Sequence, residues 1–127
     1  MEKTYKQFKD LAASETLPVF TECWASWCLP CKQYDSILKE FAREYDGRCV
    51  VAKVNVDRNP KMSNDYEVQG LPTFMVVQGG EVKQRKVGSQ SVNSLREMIE
   101  QAVADDQGSE HDEEQIIEEQ LKGLGYL

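Results

Sequence analysis

The alternation of hydrophobic periods constrains the fold of this chain most. Residues 4 to 13 carry Tyr5, Phe8, Leu11 and Ala12 at helical spacing, which predicts a short amphipathic helix. Leu17 to Trp24 reads as a buried strand. From Cys31 to Tyr45 a single helical stripe holds Tyr34, Ile37, Leu38, Phe41, Ala42 and Tyr45, and Asp46-Gly47 ends it. Cys49 to Val56 is valine-rich and bounded by turn residues, the signature of a strand. Asn59-Pro60 predicts a cap and a proline at the start of a short helix running to about Tyr66. Thr73 to Gln78 and Glu81 to Val87 are two strands joined by Gly79-Gly80, a two-residue hairpin signal. Ser91 then caps a final helix bearing Val92, Leu95, Ile99 and Ala102. The order helix, strand, helix, strand, helix, hairpin, helix predicts an α/β sandwich around one mixed sheet.

With 127 residues, 40% of them hydrophobic, the chain is long enough to bury a core and too short for two ordinary domains. Its net charge of -7 is concentrated at one end. Residues 105 to 127 hold Asp105, Asp106, Glu110, Asp112, Glu113, Glu114, Glu118 and Glu119 against Lys122, which leaves residues 1 to 104 neutral. A neutral body with an acidic tail has no electrostatic reason to bind nucleic acid or an anionic membrane. The first twenty residues contain Lys3, Lys6, Lys9 and Asp10 and no apolar run of signal-peptide length, and no stretch suits a bilayer span. The expected compartment is therefore the cytosol, where a close cysteine pair is more often catalytic or metal-binding than structural.

That pair is Cys28-Leu29-Pro30-Cys31, placed where a buried strand hands over to a helix. Two intervening residues let both sulfurs meet at the first helical turn, where unpaired N–H groups favour a thiolate. Cys28 is the expected attacking sulfur and Cys31, one step deeper, the resolving one. Pro30 keeps the turn short at a position whose N–H the helix does not need. The same spacing serves zinc sites, but zinc needs four ligands, and the only histidine is His111 in the tail. Cys23, Cys28 and Cys31, with Cys49 as a fourth, also match an iron–sulfur spacing. Against that reading, Cys23 and Cys49 sit in strand patterns and suit small buried hydrophobes. Glu22 lies in an apolar strand, where a carboxylate is costly unless protonated or paired. Lys53 on a neighbouring strand is its expected partner.

Four segments stand out: Glu22-Cys23-Trp24-Ala25-Ser26-Trp27-Cys28, Val51-Ala52-Lys53-Val54-Asn55-Val56-Asp57, Gly70-Leu71-Pro72-Thr73-Phe74, and Gly79-Gly80-Glu81-Val82 leading to Val87-Gly88. By these residues the chain, from about Tyr5 to Val103, resembles the thioredoxin family. The resemblance implies a three-layer sandwich and a disulfide reductase of partner proteins, regenerated by thioredoxin reductase, with no cofactor beyond the Cys28–Cys31 pair. It implies that Leu71-Pro72 is a cis peptide facing the cysteines, that Trp27 flanks them, and that Gly88 leaves room for a substrate chain. The rim expected to meet substrate is thus Trp27, Leu29, Pro30, Leu71, Pro72 and Gly88. Cys28, Cys31, Glu22 and Lys53 are the expected catalytic set, and a monomer is expected. A dithiol oxidase or isomerase, or a non-enzymatic interaction module on the same fold, are the alternatives.

The sequence departs from the family pattern at identifiable places. Leu29 stands where glycine is usual, which enlarges the apolar rim. Glu22 replaces the usual buried aspartate, and Cys23 the phenylalanine after it. Ser36 replaces a helix proline, so a weaker kink is expected there. The first family strand is mostly missing before Tyr5, which predicts about four strands with one less protected edge. The expected division is a domain over residues 1–104 and an acidic tail over 105–127. In that tail, residues 105 to 111 have linker composition, and Ile116, Ile117, Gln120 and Leu121 follow helical spacing.

Overall fold

The computed structural model describes residues 1–14 and 16–110, the side chains of 107–110 excepted. Helix α1 spans Tyr5–Ala13 and opens with a capping box. Thr4 Oγ1 accepts from the Gln7 N–H at 3.2 Å, and Gln7 Oε1 accepts from the Thr4 N–H at 3.0 Å, so two otherwise orphaned donors are satisfied. Strand β1 (Val19–Trp24) follows, then the short helix α2 (Leu29–Lys32), helix α3 (Asp35–Glu44), strand β2 (Val50–Asn55) and helix α4 (Pro60–Asp65). The hairpin strands β3 (Thr73–Gln78) and β4 (Glu81–Val87) lead to helix α5 (Val92–Glu110). Gly79 and Gly80 both have positive φ, 61° and 78°, as a two-residue hairpin turn requires. The Ser91 hydroxyl accepts from the Ser94 N–H at 3.0 Å, the expected cap of the last helix.

The four strands lie in the order β2-β1-β3-β4, with β1 and β2 parallel and the other pairs antiparallel. Because successive side chains point to opposite faces, β1 feeds two cores. Phe20, with Val51, Phe74 and Val76, packs under α3 (Leu38, Phe41) and α5 (Leu95, Ile99). Val19 and Cys23, with Ala52, Val54, Met75 and Val77, pack under Phe8 and Ala12 of α1 and Met62 of α4. Helices therefore cover both faces of one mixed sheet, the three-layer sandwich expected. Each fully buried Phe or Leu contributes about 1.5–3 kcal/mol.

Three local features differ from what the sequence pattern predicts. The helix expected from Cys31 to Tyr45 is divided, with the interruption at Gln33–Tyr34 rather than at Ser36. There the N–H groups of Gln33 and Tyr34 donate to the carbonyls of Pro30 and Cys31, three residues back. The Tyr34 hydroxyl, anchored to the Gln90 backbone at 2.9 and 2.7 Å, holds the break against the start of α5. Asn59 precedes α4 but does not cap it through its side chain, which instead accepts from the Tyr5 N–H and donates to the Asn55 carbonyl. At the outer edge of β2, Lys53 exchanges backbone hydrogen bonds of 2.8 Å with Met1 and Lys3. The edge expected to be less protected is thus covered at that point. Residues 105–110, which have linker composition, continue α5, and Asp106 accepts from the Gln78 amide at 2.7 Å. Helix propagation onto a docked stem costs less than nucleation, so linker composition alone does not end the helix here. The pattern from Ile116 to Leu121 lies outside the described residues. Among the described residues no helix is long and apolar enough to cross a membrane.

Candidate active site

Strand β1 ends at Trp24, and a short turn through buried Ala25 delivers the chain to the cysteines. The Cys28 N–H closes that turn on the Ala25 carbonyl at 3.1 Å. Cys28 is the N-cap residue of α2, in extended backbone with φ -88°, and Pro30 lies in the first helical turn, where its missing donor goes unused. One helical turn brings the Cα atoms of Cys28 and Cys31 to 5.4 Å, and the two sulfurs are bonded as a disulfide. Both cysteines are buried, Cys31 more fully, whereas their neighbours Trp27, Leu29 and Pro30 are exposed. A reactive pair with an exposed apolar rim results.

Sheet register brings the other expected rim residues to the same end. Thr73 of β3 pairs with Cys23 of β1 and with Val87 of β4. Pro72 and Gly88 therefore leave the sheet where the loop to Cys28 leaves it. The Leu71–Pro72 peptide is cis, as the resemblance implies, and the Pro72 carbonyl accepts from the Gly88 N–H at 2.8 Å. Gly88 has φ +90° and open space where a Cβ would be. A side chain there would meet backbone strain rather than a clash.

Trp27 is held by a residue the sequence pattern does not single out. Its indole N–H donates to Asp57 Oδ2 at 2.8 Å. Asp57 is itself placed by Asn55, whose side-chain oxygen accepts from the N–H groups of Asp57 and Arg58. The signal was present, because Asp57 closes the Val51–Asp57 motif, but only the turn after β2 brings it under Trp27.

Glu22 is fully buried on β1, directly beside Lys53 in the parallel register. The expected pair between them is not formed. Lys53 Nζ lies 2.6 Å from Asp35 Oδ1 at the start of α3 and 4.3 Å from the centroid of the Trp24 ring. The long lysine stem carries its charge past Glu22 to a half-exposed carboxylate, where pairing desolvates fewer charges. Both Glu22 carboxyl oxygens are buried with no hydrogen-bond partner among the described residues. Burial pushes the Glu22 pKa up to about 8, against the pull of Lys53 and with the repulsion of Asp35 and Glu2.

The remaining cysteines stand apart. Cys23 belongs to the core under α1 and α4, and Cys49 to the core under α3 and α5, so the sheet separates them. Burial raises both thiols to about 12. An iron–sulfur set made from them together with Cys28 and Cys31 has no common centre. Among the described residues no group of three or more His, Cys, Asp or Glu could hold a metal ion. His111 lies outside those residues.

Two cysteines that oxidise to each other at the mouth of a short helix define a thiol-disulfide oxidoreductase. The thioredoxin family model matches residues 1–101. Thioredoxin from Rickettsia felis is 37% identical over 100 residues, covering 79% of this chain and 95% of that protein. Thioredoxin 1 from Chlorobaculum tepidum is 39% identical over 94 residues, covering 74% of this chain and 93% of that protein. Among solved structures, a single-site mutant of thioredoxin from Halobacterium salinarum aligns with a TM-score of 0.72 at 27% identity, over 81% of this chain and 89% of that one. The chain belongs to the thioredoxin family, whose members are protein-disulfide reductases and need no cofactor.

Proposed function

We propose that the chain reduces disulfides of partner proteins through Cys28, with Cys31 resolving and Glu22 handling the proton. The Cys28 thiolate attacks one sulfur of the partner disulfide, forming a mixed disulfide and expelling the partner's other sulfur as a thiolate, which takes up a proton. In molecules with Glu22 ionised, a fraction that grows as pH rises, Cys31 then gives its proton to the Glu22 carboxylate, directly or through water, and attacks the Cys28 sulfur. The bond between Cys28 and the partner breaks, the partner's second sulfur leaves as a thiolate and takes up a proton from solvent, and Cys28–Cys31 carries the oxidation. A thioredoxin reductase in the cytosol returns two electrons to the pair.

Trp27, Leu29 and Pro30 on one side, and Leu71, Pro72 and Gly88 on the other, form the groove for the substrate segment in this reading. Among the described residues no backbone hydrogen bond engages Leu71, which suits it to pair with an extended chain. The observation that carries the proposal is the bonded Cys28–Cys31 pair at the start of α2. A Cys31→Ser variant tests it: incubated with a disulfide substrate, it should accumulate a mixed disulfide mapped to Cys28. Absence of the adduct, or an adduct on another cysteine, would overturn the assignment.

A further inference from the structure

We propose that Asp35 is a positioning residue for the dithiol chemistry: by holding the Lys53 ammonium at 2.6 Å it withholds that cation from Glu22 and sets the pH at which Glu22 ionises. Three observations converge on this. Glu22 and Lys53 are register neighbours on parallel strands, so a pair between them is the near alternative. Lys53 instead meets Asp35, and both Glu22 oxygens are left buried without a donor among the described residues. Asp35 also adds its own negative charge to the surroundings of Glu22. The weakened acidity of Glu22 has that repulsion among its causes, after burial and opposed by Lys53.

The groups facing Glu22 from each packed element can be named. From β2 comes Lys53, from α3 Asp35, and from the N-terminal segment Glu2, whose carboxylate accepts from the Trp24 indole N–H at 3.1 Å. The helical layer over this face begins with Cys28 and Cys31. On β4, Lys86 is separated by Phe74 in the same ladder and is occupied by Ser94 Oγ at 2.7 Å. Lys53 is therefore the cation whose allegiance decides the charge of Glu22, and Asp35 is the group that competes for it. Asp35 has its side chain about half in solvent, so its carboxylate keeps part of its hydration while paired. Glu22 would have to ionise in full burial to win the same cation. The competition accordingly favours a neutral Glu22 at neutral pH.

The consequence for catalysis rests on Glu22 being the proton acceptor proposed above, and the test separates the two ideas. Asp35→Asn keeps the shape and an acceptor for Lys53 but removes the charge; Asp35→Glu keeps the charge. The full chain, labelled with ¹³C at glutamate carboxyls and assigned with Glu22→Gln, is titrated by NMR, and single-turnover oxidation of the reduced protein by a disulfide peptide is followed over the same pH range. The Glu22 midpoint should fall by about 1 pH unit in Asp35→Asn and stay near wild type in Asp35→Glu. The alkaline rise in rate should move with it, giving about fivefold faster resolution near neutral pH. An unmoved Glu22 midpoint in Asp35→Asn overturns the role of Asp35. A moved midpoint with an unmoved rate profile supports Asp35 as the group that sets the ionisation of Glu22, and overturns Glu22 as the acceptor together with the link from Asp35 to the dithiol chemistry.

Discussion

Replacing Glu22 by Gln should make the oxidised protein more stable, by an amount that grows with pH. Glu22 is fully buried, its carboxyl oxygens have no hydrogen-bond partner among the described residues, and its pKa is raised from 4.5 to about 8. The folded-state value lies above the unfolded one, so between these values the native chain keeps a proton that the unfolded chain has lost. Stability therefore falls as pH rises through that window. At about 1.4 kcal/mol per unit, the penalty is about 3 kcal/mol at pH 7 and grows by about 4 kcal/mol between pH 5 and pH 9. A buried amide in the same place keeps a desolvation cost of about 1–3 kcal/mol, but that cost does not depend on pH. The pH-dependent part is thus the clean quantity. Urea unfolding of the oxidised protein and the Gln variant, followed by tryptophan fluorescence across this range, measures it, and shared titrations cancel in the difference. Curves that run parallel from pH 5 to pH 9 would refute a raised Glu22 and leave it ionised through a partner.

Two further predictions concern the thiols and the tail. Alkylation of the reduced protein near neutral pH should label Cys28 well before Cys31, and Cys23 and Cys49 last, since burial raises the latter two to about 12; peptide mapping would reveal a different order. Deleting residues 111–127 should leave insulin reduction near the full-length rate, whereas cutting at 105 should also cost about 0.5–1.5 kcal/mol in urea unfolding through loss of the Gln78–Asp106 bond.

What was legible in the sequence was whatever depends on neighbours along the chain. The Gly79-Gly80 turn, the Ser91 cap and the stripe from Tyr34 to Tyr45 are local, and the structure has each of them. The position of the cysteine pair at a strand-to-helix handover is equally local. Contacts between distant segments were not legible. Asn59 looks like a cap, yet its amide is taken by Tyr5 and Asn55, which only the packing of α1 on the turn after β2 reveals. The stripe from Cys31 to Tyr45 cannot show a break, because the periodicity survives it; the break depends on the Tyr34 hydroxyl reaching Gln90. Glu22 and Lys53 face each other in register, but which carboxylate wins the ammonium depends on where the lysine stem ends. Asp35 was invisible as a rival because a charge at a helix start is ordinary. The cis state of Leu71–Pro72 came from the family resemblance, since X–Pro chemistry permits both isomers.

In the proposed reaction this chain moves electrons from its own dithiol to a protein disulfide through Cys28. Insulin reduction in dithiothreitol, followed as precipitation of the freed B chain, tests it most directly when the wild type is run beside Cys28→Ser. The wild type should shorten the onset of precipitation in proportion to its concentration, and Cys28→Ser should match dithiothreitol alone. An inactive wild type, or a serine variant as active as the wild type, would rule out this role for Cys28.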